Sequence, residues 1–286
     1  MSRIVSCYLM GGLGNQLFQI FTTMAYGIKN SRRVLFPFSE KLTTGIERPT
    51  YWSNFLQRLS PYVTNGPIDL QIQHNETGFR YEPINSYEKN TILYGYFQSY
   101  LYFEEYRVIL FSLIRLVNQK QDIREQFFEL LSFHANMISM HFRLGDYKTK
   151  QDYHPIMPYE YYENALTHIL SKRNNCNVLY FCEKEDIEDV EIIINKLKTT
   201  FGSKLAFVLV DDMIPDWQQM LIMSCCKDNI IANSSFSWWG AYFNQNAEQI
   251  VCYPSLWFGP KIAHDTTDLF PASWTKIEFS PKNEKL

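Results

Sequence analysis

The residues best suited to chemistry lie in one heptad, HFRLGDY at residues 141–147. The apolar run at 137–140 predicts a buried strand, and period-two alternation would place His141 and Arg143 on the same side of it. A turn beyond a parallel strand is where open α/β sheets bind ligands, and the fork of an Arg matches a diphosphate. An Arg143–Asp146 pair that only fastens a loop is an equally simple interpretation. Other motifs must therefore decide between a diphosphate site and an ion pair that only fastens a loop.

A glycine-rich stretch, GGLGN at residues 11–15, separates a run of β-forming residues from a run with helical spacing at 16–28. A helix that begins after glycines offers free N–H groups and a positive dipole end to an anion. A dinucleotide fingerprint would need a glycine where Leu17 stands, although Glu40 stands near the ribose-binding position. The stretch therefore indicates either an anion site or a tight turn without a ligand.

A third motif follows a short apolar strand at residues 229–232 and leads into a helix with two tryptophans. Ser234 or Ser235 can cap that helix. The hydroxyls, the free N–H groups and the helix dipole would form a second anion site, which Phe236 would flank. A capped core helix with packed tryptophans is the alternative.

Alternating elements between these motifs predict a parallel sheet covered by helices, with helices at 159–172 and 188–198 and strands at 177–182 and 205–210. Asp211 and Asp212 follow the last of these strands. A divalent ion lacks an evident third ligand there, and alternation points the two acids to opposite faces, so no metal is expected. An acid at this place could instead accept hydrogen bonds from a nucleotide base.

Composition bounds the class of protein. An apolar fraction of 46%, a charged fraction of 20% and a net charge of −3 describe a globular chain that does not bind nucleic acid through bulk charge. The six scattered cysteines fit buried thiols in a reducing compartment, and the apolar run at residues 4–10 is shorter than a signal peptide or a membrane span is expected to need. A cytoplasmic protein is expected, with its domain boundary near residues 118–135, where residues 118–122 form the most linker-like run.

The chain resembles the inverting α-1,2-fucosyltransferases of bacteria that decorate surface glycans. The resemblance covers nearly the whole chain and rests on five motifs in the order of that family. They are GGLGNQ at 11–16, GYFQS at 95–99, the 141–147 heptad, MPY at 157–159 and SSFSWWG at 234–240.

This resemblance implies a GT-B-like α/β fold of two Rossmann-type lobes with a cleft between them. Residues 1–134 would form the acceptor-side lobe, and residues 135–286 would bind GDP-β-L-fucose. The implied reaction moves L-fucose to the 2-hydroxyl of a terminal galactose, on an oligosaccharide or a glycolipid, with inversion to an α-1,2 linkage and without a metal or other cofactor. Peripheral association with the inner membrane face is compatible with it.

The resemblance also implies residue roles. Arg143 would hold the diphosphate, and Asn15 would reach the site from the amino-terminal lobe. His141 and Asp146 would shape the nucleotide pocket and are the candidates for a general base, which the sequence does not identify. The remaining donor-binding candidates are Gly12, Gly14, Asp212, Ser234, Ser235 and Phe236.

One departure from the family pattern is Leu144, where relatives often carry a second Arg. It leaves open a non-catalytic relative that binds a nucleotide or a glycan. The glycine stretch with Glu40 leaves open an NAD-linked oxidoreductase, although that reading explains neither Arg143 nor the serine-capped helix.

Overall fold

The structure, a computed structural model, describes residues 3–132, 136–202 and 205–280. The chain divides into two compact units, the first formed by Met1–Asn118 with His264–Pro271 and the second by Gln119–Ala263 with Ala272–Leu286. The boundary predicted between residues 134 and 135 lies outside the described residues. The predicted α/β class is confirmed, because both units are built on parallel sheets.

In the residues that the structure describes, the first unit contains a four-stranded sheet, two strand pairs and two α-helices. Their bounds are β1 (Ile4–Cys7), α1 (Leu13–Lys29), β2 (Arg33–Val34), β3 (Phe36–Pro37), β4 (Lys41–Leu42), β5 (Arg48–Pro49), β6 (Val63–Thr64), β7 (Ile72–Asn75), β8 (Thr91–Tyr94) and α2 (Arg107–Leu113). The sheet is parallel in the order β2-β1-β8-β7, while β3 pairs with β6 and β4 with β5. Helix α1 buries almost its whole length, so it forms the centre of this core.

The segment His264–Pro271, late in the chain, belongs to this first unit. Arg80 Nε donates to Asp268 Oδ2 over 3.1 Å, and Ser99 Oγ donates to the Asp268 carbonyl over 2.6 Å. These long-range bonds cannot be read from local sequence.

Over its described residues, the second unit is built on six strands and six α-helices, of which α3 begins before the unit boundary. They are α3 (Leu116–Gln126), α4 (Phe128–Leu131), β9 (Asn136–His141), α5 (Tyr159–Leu170), β10 (Cys176–Phe181), α6 (Ile187–Phe201), β11 (Ala206–Leu209), α7 (Asp216–Cys225), β12 (Asp228–Ile230), α8 (Ser235–Tyr242), β13 (Val251–Pro254) and β14 (Thr275–Ile277). The sheet is parallel in the order β11-β10-β9-β12-β13-β14. Strands β10 and β11 are therefore added on one side of β9, and strands β12 to β14 on the other side. The direction in which strands are added reverses between β9 and β12.

Two predicted elements differ from the structure. The polar run at 118–122 is helical rather than a linker, because Leu116, Lys120 and Ile123 recur at helical spacing and are all buried. The amphipathic pattern at residues 102–116 predicts one helix, but the helix is confined to α2 and is preceded by two 3₁₀ turns. It ends at Leu113 because Arg115 adopts a positive φ of 51°.

All six cysteines are free thiols, and five of them are buried, which agrees with the interpretation of the cysteines as buried thiols. Across the described residues, every helix is too short or too polar to cross a membrane.

Candidate functional site

Two predicted site residues of the second unit, His141 and Ser234, and one residue that was not predicted, Glu183, lie at the carboxyl ends of neighbouring strands. His141 ends β9, Glu183 follows β10, and Ser234 follows β12. The His141 ring lies 5.5 Å from the ring of Phe236, centroid to centroid. Since the strand order reverses between β9 and β12, these residues border the switch point, which is the usual ligand crevice of such sheets.

Arg143 is held by two carboxylates. Its Nη2 donates to Asp146 Oδ1 over 2.6 Å, its Nη1 donates to Glu183 Oε1, and its guanidinium lies 5.2 Å from the centre of the Tyr147 ring. Burial acts to lower the pKa of Arg143, but Glu183 and the other anionic neighbours outweigh it and raise the pKa. The Arg–Asp pair anticipated from the sequence is present, and Glu183 is a partner that the sequence did not reveal.

Arg143 does not share a strand face with His141 in the way that alternation predicted. The strand ends at His141, so Arg143 lies in the following loop, where a period of two does not apply. The loop instead aims the guanidinium toward Glu183, beyond the neighbouring strand.

The loop after β9 turns at Gly145 and is anchored by Asp186 and Lys148, which sequence reasoning missed. Gly145 has a φ of +40°, and its N–H donates to Asp186 Oδ2 over 2.7 Å. The positive φ disfavours any residue with a side chain at position 145, whereas the contact that a methyl group would make with Glu183 Oε2, at 2.8 Å, could be relieved by movement of that side chain. Lys148 Nζ binds both Asp186, at 2.8 Å, and Asp189, at 2.7 Å. Asp186 directly precedes α6. The sequence signal that could have identified it is an acidic residue at the start of a helix.

Tyr147 links this loop to the one after β12, since its hydroxyl donates to the Asn233 carbonyl over 3.2 Å. The Asn233 amide donates in turn to the carbonyls of Pro155, at 2.9 Å, and Trp257, at 3.1 Å. His154 stacks on Tyr147 with ring centroids 4.8 Å apart. These contacts therefore fix the loop after β9 relative to the loop after β12, on the two sides of the crevice.

His141 is buried and neutral. Burial, with a smaller contribution from the charge of Arg143, lowers its pKa to about 3. Its Nδ1 is buried without a hydrogen-bond partner, although buried polar atoms normally have one. An imidazole with so low a pKa is a poor proton acceptor near pH 7, so His141 is suited to hydrogen bonding rather than to general base catalysis.

The predicted cap of the tryptophan helix is confirmed. Ser234 Oγ accepts a hydrogen bond from the Phe236 N–H over 3.3 Å, and α8 begins at Ser235. Trp238 and Trp239 are fully buried, so they pack in the core and do not face a ligand. The anion site at this helix start stays a prediction.

Asp212 lies further from the crevice, because β10 separates β11 from β9. Its charge contributes, after burial and Asp186, to raising the pKa of Cys182 to about 12, which places it near the end of β10. Asp211 caps its own turn by accepting from the Met213 N–H over 3.0 Å. In the part of the chain that the structure describes, no three His, Cys, Asp or Glu side chains cluster as a metal site would require.

In the first unit, the glycine turn fixes one amide. Gly11 has a φ of +75°, and a methyl group there would collide with Asn15 Nδ2. Asn15 Oδ1 accepts from Gln98 Nε2 over 2.9 Å, and Gln16 Nε2 donates to the Gly11 carbonyl over 3.0 Å. Gly12 and Gly14 stand at the amino end of α1, whose first turn contains no acid.

Comparison with known proteins decides the family. Residues 4–278 match Glycosyl transferase family 11. The chain belongs to this family. Two Escherichia coli proteins are related along almost their full length: the O-antigen biosynthesis glycosyltransferase WbnK is 27% identical, with 95% of this chain and 99% of that protein covered, and an alpha-1,2-colitosyltransferase is 26% identical, with 96% and 99% covered.

Solved structures share the fold of this family 11 chain. A mutant of Arabidopsis thaliana FUT1 in complex with GDP gives a TM-score of 0.50 at 11% identity, with 88% of this chain and 70% of that chain covered. A glycosyl transferase family 9 protein from Veillonella parvula gives 0.50 at 10% identity, with 97% and 86% covered. The resemblance read from the five motifs is confirmed at the level of the family, and an NAD-linked oxidoreductase is set aside.

For this family 11 member, Leu144 proves to be a core residue. It is 2% exposed and packs in the hydrophobic core of the second unit, with Phe142 and Met157. Its side chain is therefore directed into the core and away from solvent, so a cation cannot simply be restored at position 144 without disturbing that core.

Proposed function

We propose that this glycosyltransferase moves L-fucose from GDP-β-L-fucose to the 2-hydroxyl of a terminal galactose, with inversion to an α-1,2 linkage. Membership of family 11 supports the sugar transfer, and the GDP named for the FUT1 structure supports a guanine nucleotide donor. The relation to WbnK supports a role in O-antigen assembly.

The observation that carries the proposal is the position of Arg143 at the switch point. A diphosphate would take the place of Glu183 on the guanidinium, and Glu183 is free to turn outward because its side chain is 52% exposed. The Arg would then exchange a carboxylate for phosphate oxygens without losing its hydrogen bonds. Asp146 would hold the guanidinium in orientation during that exchange.

The chemistry follows from charge. The galactose 2-hydroxyl oxygen bonds to the anomeric carbon of fucose while the bond from that carbon to the β-phosphate oxygen breaks, and the hydroxyl proton is released. Negative charge grows on the leaving diphosphate, so donors aimed at it accelerate the step. Arg143 and the N–H groups at the start of α8 supply such donors, and we therefore propose transfer without a metal.

The other residues complete the proposed donor site. His141, as a neutral imidazole, offers a hydrogen bond to the nucleotide, and Phe236 lies beside it. Ser234, Ser235 and Asp212 lie on the same edge of the sheet. Gly12, Gly14 and Asn15 form the corresponding edge of the first unit, to which we assign the acceptor side of a GT-B arrangement.

A second sugar donor should be tested in the same assay. The alpha-1,2-colitosyltransferase relative favours GDP-colitose as the alternative, and colitose differs from fucose only by the missing 3-hydroxyl. A donor site that hydrogen-bonds the 3-hydroxyl would reject colitose strongly, whereas one that leaves this hydroxyl unbound would accept both.

The test is the release of GDP from GDP-fucose and GDP-colitose, each with and without lactose or N-acetyllactosamine, followed by NMR of the product. We expect acceptor-dependent release with GDP-fucose, a new α-linkage at the galactose 2-position, and activity that survives a metal chelator. GDP binding without turnover on any galactose-terminated acceptor would contradict the proposed reaction and favour a non-catalytic relative.

A further inference from the structure

One face of the first sheet carries two exposed tyrosines, Tyr8 and Tyr94, at its carboxyl end. Helix α1 covers the opposite face, where a methyl group added to Gly27 would collide with the side chain of Val34. Val5 pairs with Val34, and Tyr8 lies three residues further along, so alternation places Tyr8 on the face away from α1. Parallel sheets normally have both faces covered. The exposed end of this face is therefore a candidate binding surface.

The two tyrosines belong to a row of side chains that crosses three neighbouring strands. The Tyr8 N–H donates to the Leu93 carbonyl over 3.0 Å, which continues the β1–β8 ladder by one residue, and Tyr94 pairs with Asn75 of β7. Tyr8 and Tyr94 are 38% and 40% exposed, and their ring centroids lie 5.5 Å apart with the planes tilted by 40°. The two rings therefore form one aromatic surface, the Tyr8–Tyr94 platform.

The surroundings of the platform are polar and balanced in charge. Gln73 Nε2 donates to the Oδ1 of the exposed Asn75 over 2.7 Å, and the Tyr8 hydroxyl shares a hydrogen bond of 2.7 Å with Thr44 Oγ1. Thr44 lies in the β4–β5 hairpin, and residues 40–49 contain two acidic and two basic residues. An aromatic surface with amide and hydroxyl groups beside it fits a neutral ligand that has an apolar face and many hydroxyls.

A galactose ring has an apolar face of this kind. Because its 4-hydroxyl is axial, C3, C4 and C5 present their hydrogens together on the other side of the ring, whereas glucose, with an equatorial 4-hydroxyl, interrupts this patch. The hydrogens carry partial positive charge and are attracted to the negative face of an aromatic ring. The 2-hydroxyl of galactose is equatorial, so stacking of this face leaves it accessible at the rim of the sugar.

We infer that the Tyr8–Tyr94 platform stacks on the apolar face of the acceptor galactose and selects galactose over glucose. This inference rests on the proposed function for the identity of the acceptor, and it adds the residues that recognise the sugar. Asn75, at the end of the row, donates to a sugar hydroxyl through its amide group. The contacts are the same before and during transfer, so they contribute to the affinity for the acceptor and little to the rate of the chemical step.

Saturation-transfer difference NMR with lactose tests the inference, because it maps the acceptor protons that touch the protein. We expect the strongest saturation on the C3, C4 and C5 protons of galactose, with weaker saturation on its C2 proton and on the glucose ring. Tyr8→Ala and Tyr94→Ala should each weaken this pattern. Each should also raise the KM for lactose by about tenfold, with little change in kcat or in the KM for GDP-fucose, because an aromatic anchor is lost.

The selection of galactose is measured by competition. Methyl β-galactoside should inhibit transfer to lactose at lower concentration than methyl β-glucoside does, and the difference should shrink in Tyr94→Ala. A residue that only supported the fold would weaken both inhibitors equally.

Two further variants serve as controls. Tyr8→Phe keeps the ring and loses only the hydroxyl that bonds Thr44, so it should bind lactose nearly as the wild type does. Phe128→Ala removes an exposed ring on α4, which precedes the amino end of β9, and should leave the KM for lactose unchanged. Unchanged thermal midpoints would show that all variants are folded.

Several outcomes would overturn the inference. These are equal saturation of both lactose rings, an unchanged KM in both alanine variants, or a Tyr8→Phe variant as impaired as Tyr8→Ala. The NMR experiment needs no turnover, so the two proposals fail in different ways. Galactose bound at the platform without fucose transfer would contradict the proposed reaction alone, whereas transfer to galactose that survives loss of both rings would contradict the platform alone.

Discussion

The carboxyl edges of the two parallel sheets differ in charge although they share an architecture. In the second unit this edge carries Arg143 between two carboxylates, together with Lys148 and its acidic partners. In the first unit it carries an amide pair, Asn15 with Gln98, and exposed tyrosines. In both sheets, a strand and the turn after it determine where a side chain lies. The type of residue at that position determines which kind of ligand the edge can bind.

A buried carboxyl group near the edge of the first unit supports this contrast. Glu76 follows β7, and its Oε2 accepts the Tyr96 N–H over 2.7 Å. Burial raises its pKa, so the group is biased toward its neutral form. We interpret the first edge as suited to a neutral, hydroxyl-rich ligand and the second as suited to an anion.

The largest effect should follow from removing the cation of the second edge. Arg143→Ala should lower turnover by about 100- to 1000-fold, since loss of one donor to a developing charge typically costs about 3 to 4 kcal/mol. Turnover assays and circular dichroism would measure activity and fold. Lys150→Ala, which removes an exposed cation 3.9 Å from Asp146, is the matched control. Near-normal turnover of Arg143→Ala would break the assignment of the donor site.

The neutrality of His141 predicts a dependence of stability on pH. Its pKa is about 3 in the folded protein and about 6.5 in the unfolded chain, so only the unfolded chain binds its proton in between. The contribution of neutral His141 to the free energy of unfolding is complete above pH 6.5. It is lost as the pH falls toward 3, by about 1.4 kcal/mol per pH unit. The free energy of unfolding should therefore fall more steeply in the wild type than in His141→Gln.

Urea unfolding of both proteins at pH 7.5, 6.0, 5.0 and 4.5 would measure this slope. Above pH 6.5 the free energies of unfolding of the two proteins should differ by a constant amount, which serves as the internal reference. Parallel curves over the whole range would contradict the buried, neutral state of His141.

The glycine turn of the first unit predicts a smaller effect and offers an internal control. Gly11→Ala should lower the free energy of unfolding by about 1 to 2 kcal/mol from left-handed strain alone, with a collision against Asn15 in addition. Gly12→Ala should change it little, because an added methyl group at Gly12 meets no atom within 4 Å. Urea unfolding compares the two, and equal destabilisation would contradict the geometry of the turn.

The smallest expected effect concerns competition for Arg143. Glu183→Gln should raise GDP affinity a few-fold, since an exposed ion pair is worth about 1 kcal/mol or less and the ligand must displace it. Calorimetric titration with GDP would measure this. Glu185→Gln removes a nearby exposed charge and should have little effect. Weaker GDP binding in Glu183→Gln would indicate that Glu183 supports the nucleotide rather than competing with it.

Local signals in the sequence were enough for several elements. The strand, glycine turn and helix at the start of the chain and the Ser234 cap were predicted because each depends on neighbours within a few residues. Helix α7 was not predicted, since its buried residues Met220 to Met223 are consecutive and form no stripe. Strand β14 was missed because three residues carry too little pattern.

The sequence by itself determined the family, through five motifs in order, and the α/β class, through the alternation of strand and helix patterns. Only the tertiary structure decided which partners Arg143 has and that His141 is neutral. Glu183 reaches Arg143 because β10 lies beside β9, forty residues away in the chain. The pKa of His141 falls because the folded surroundings exclude water, and neither strand order nor desolvation is a property of a local run of residues.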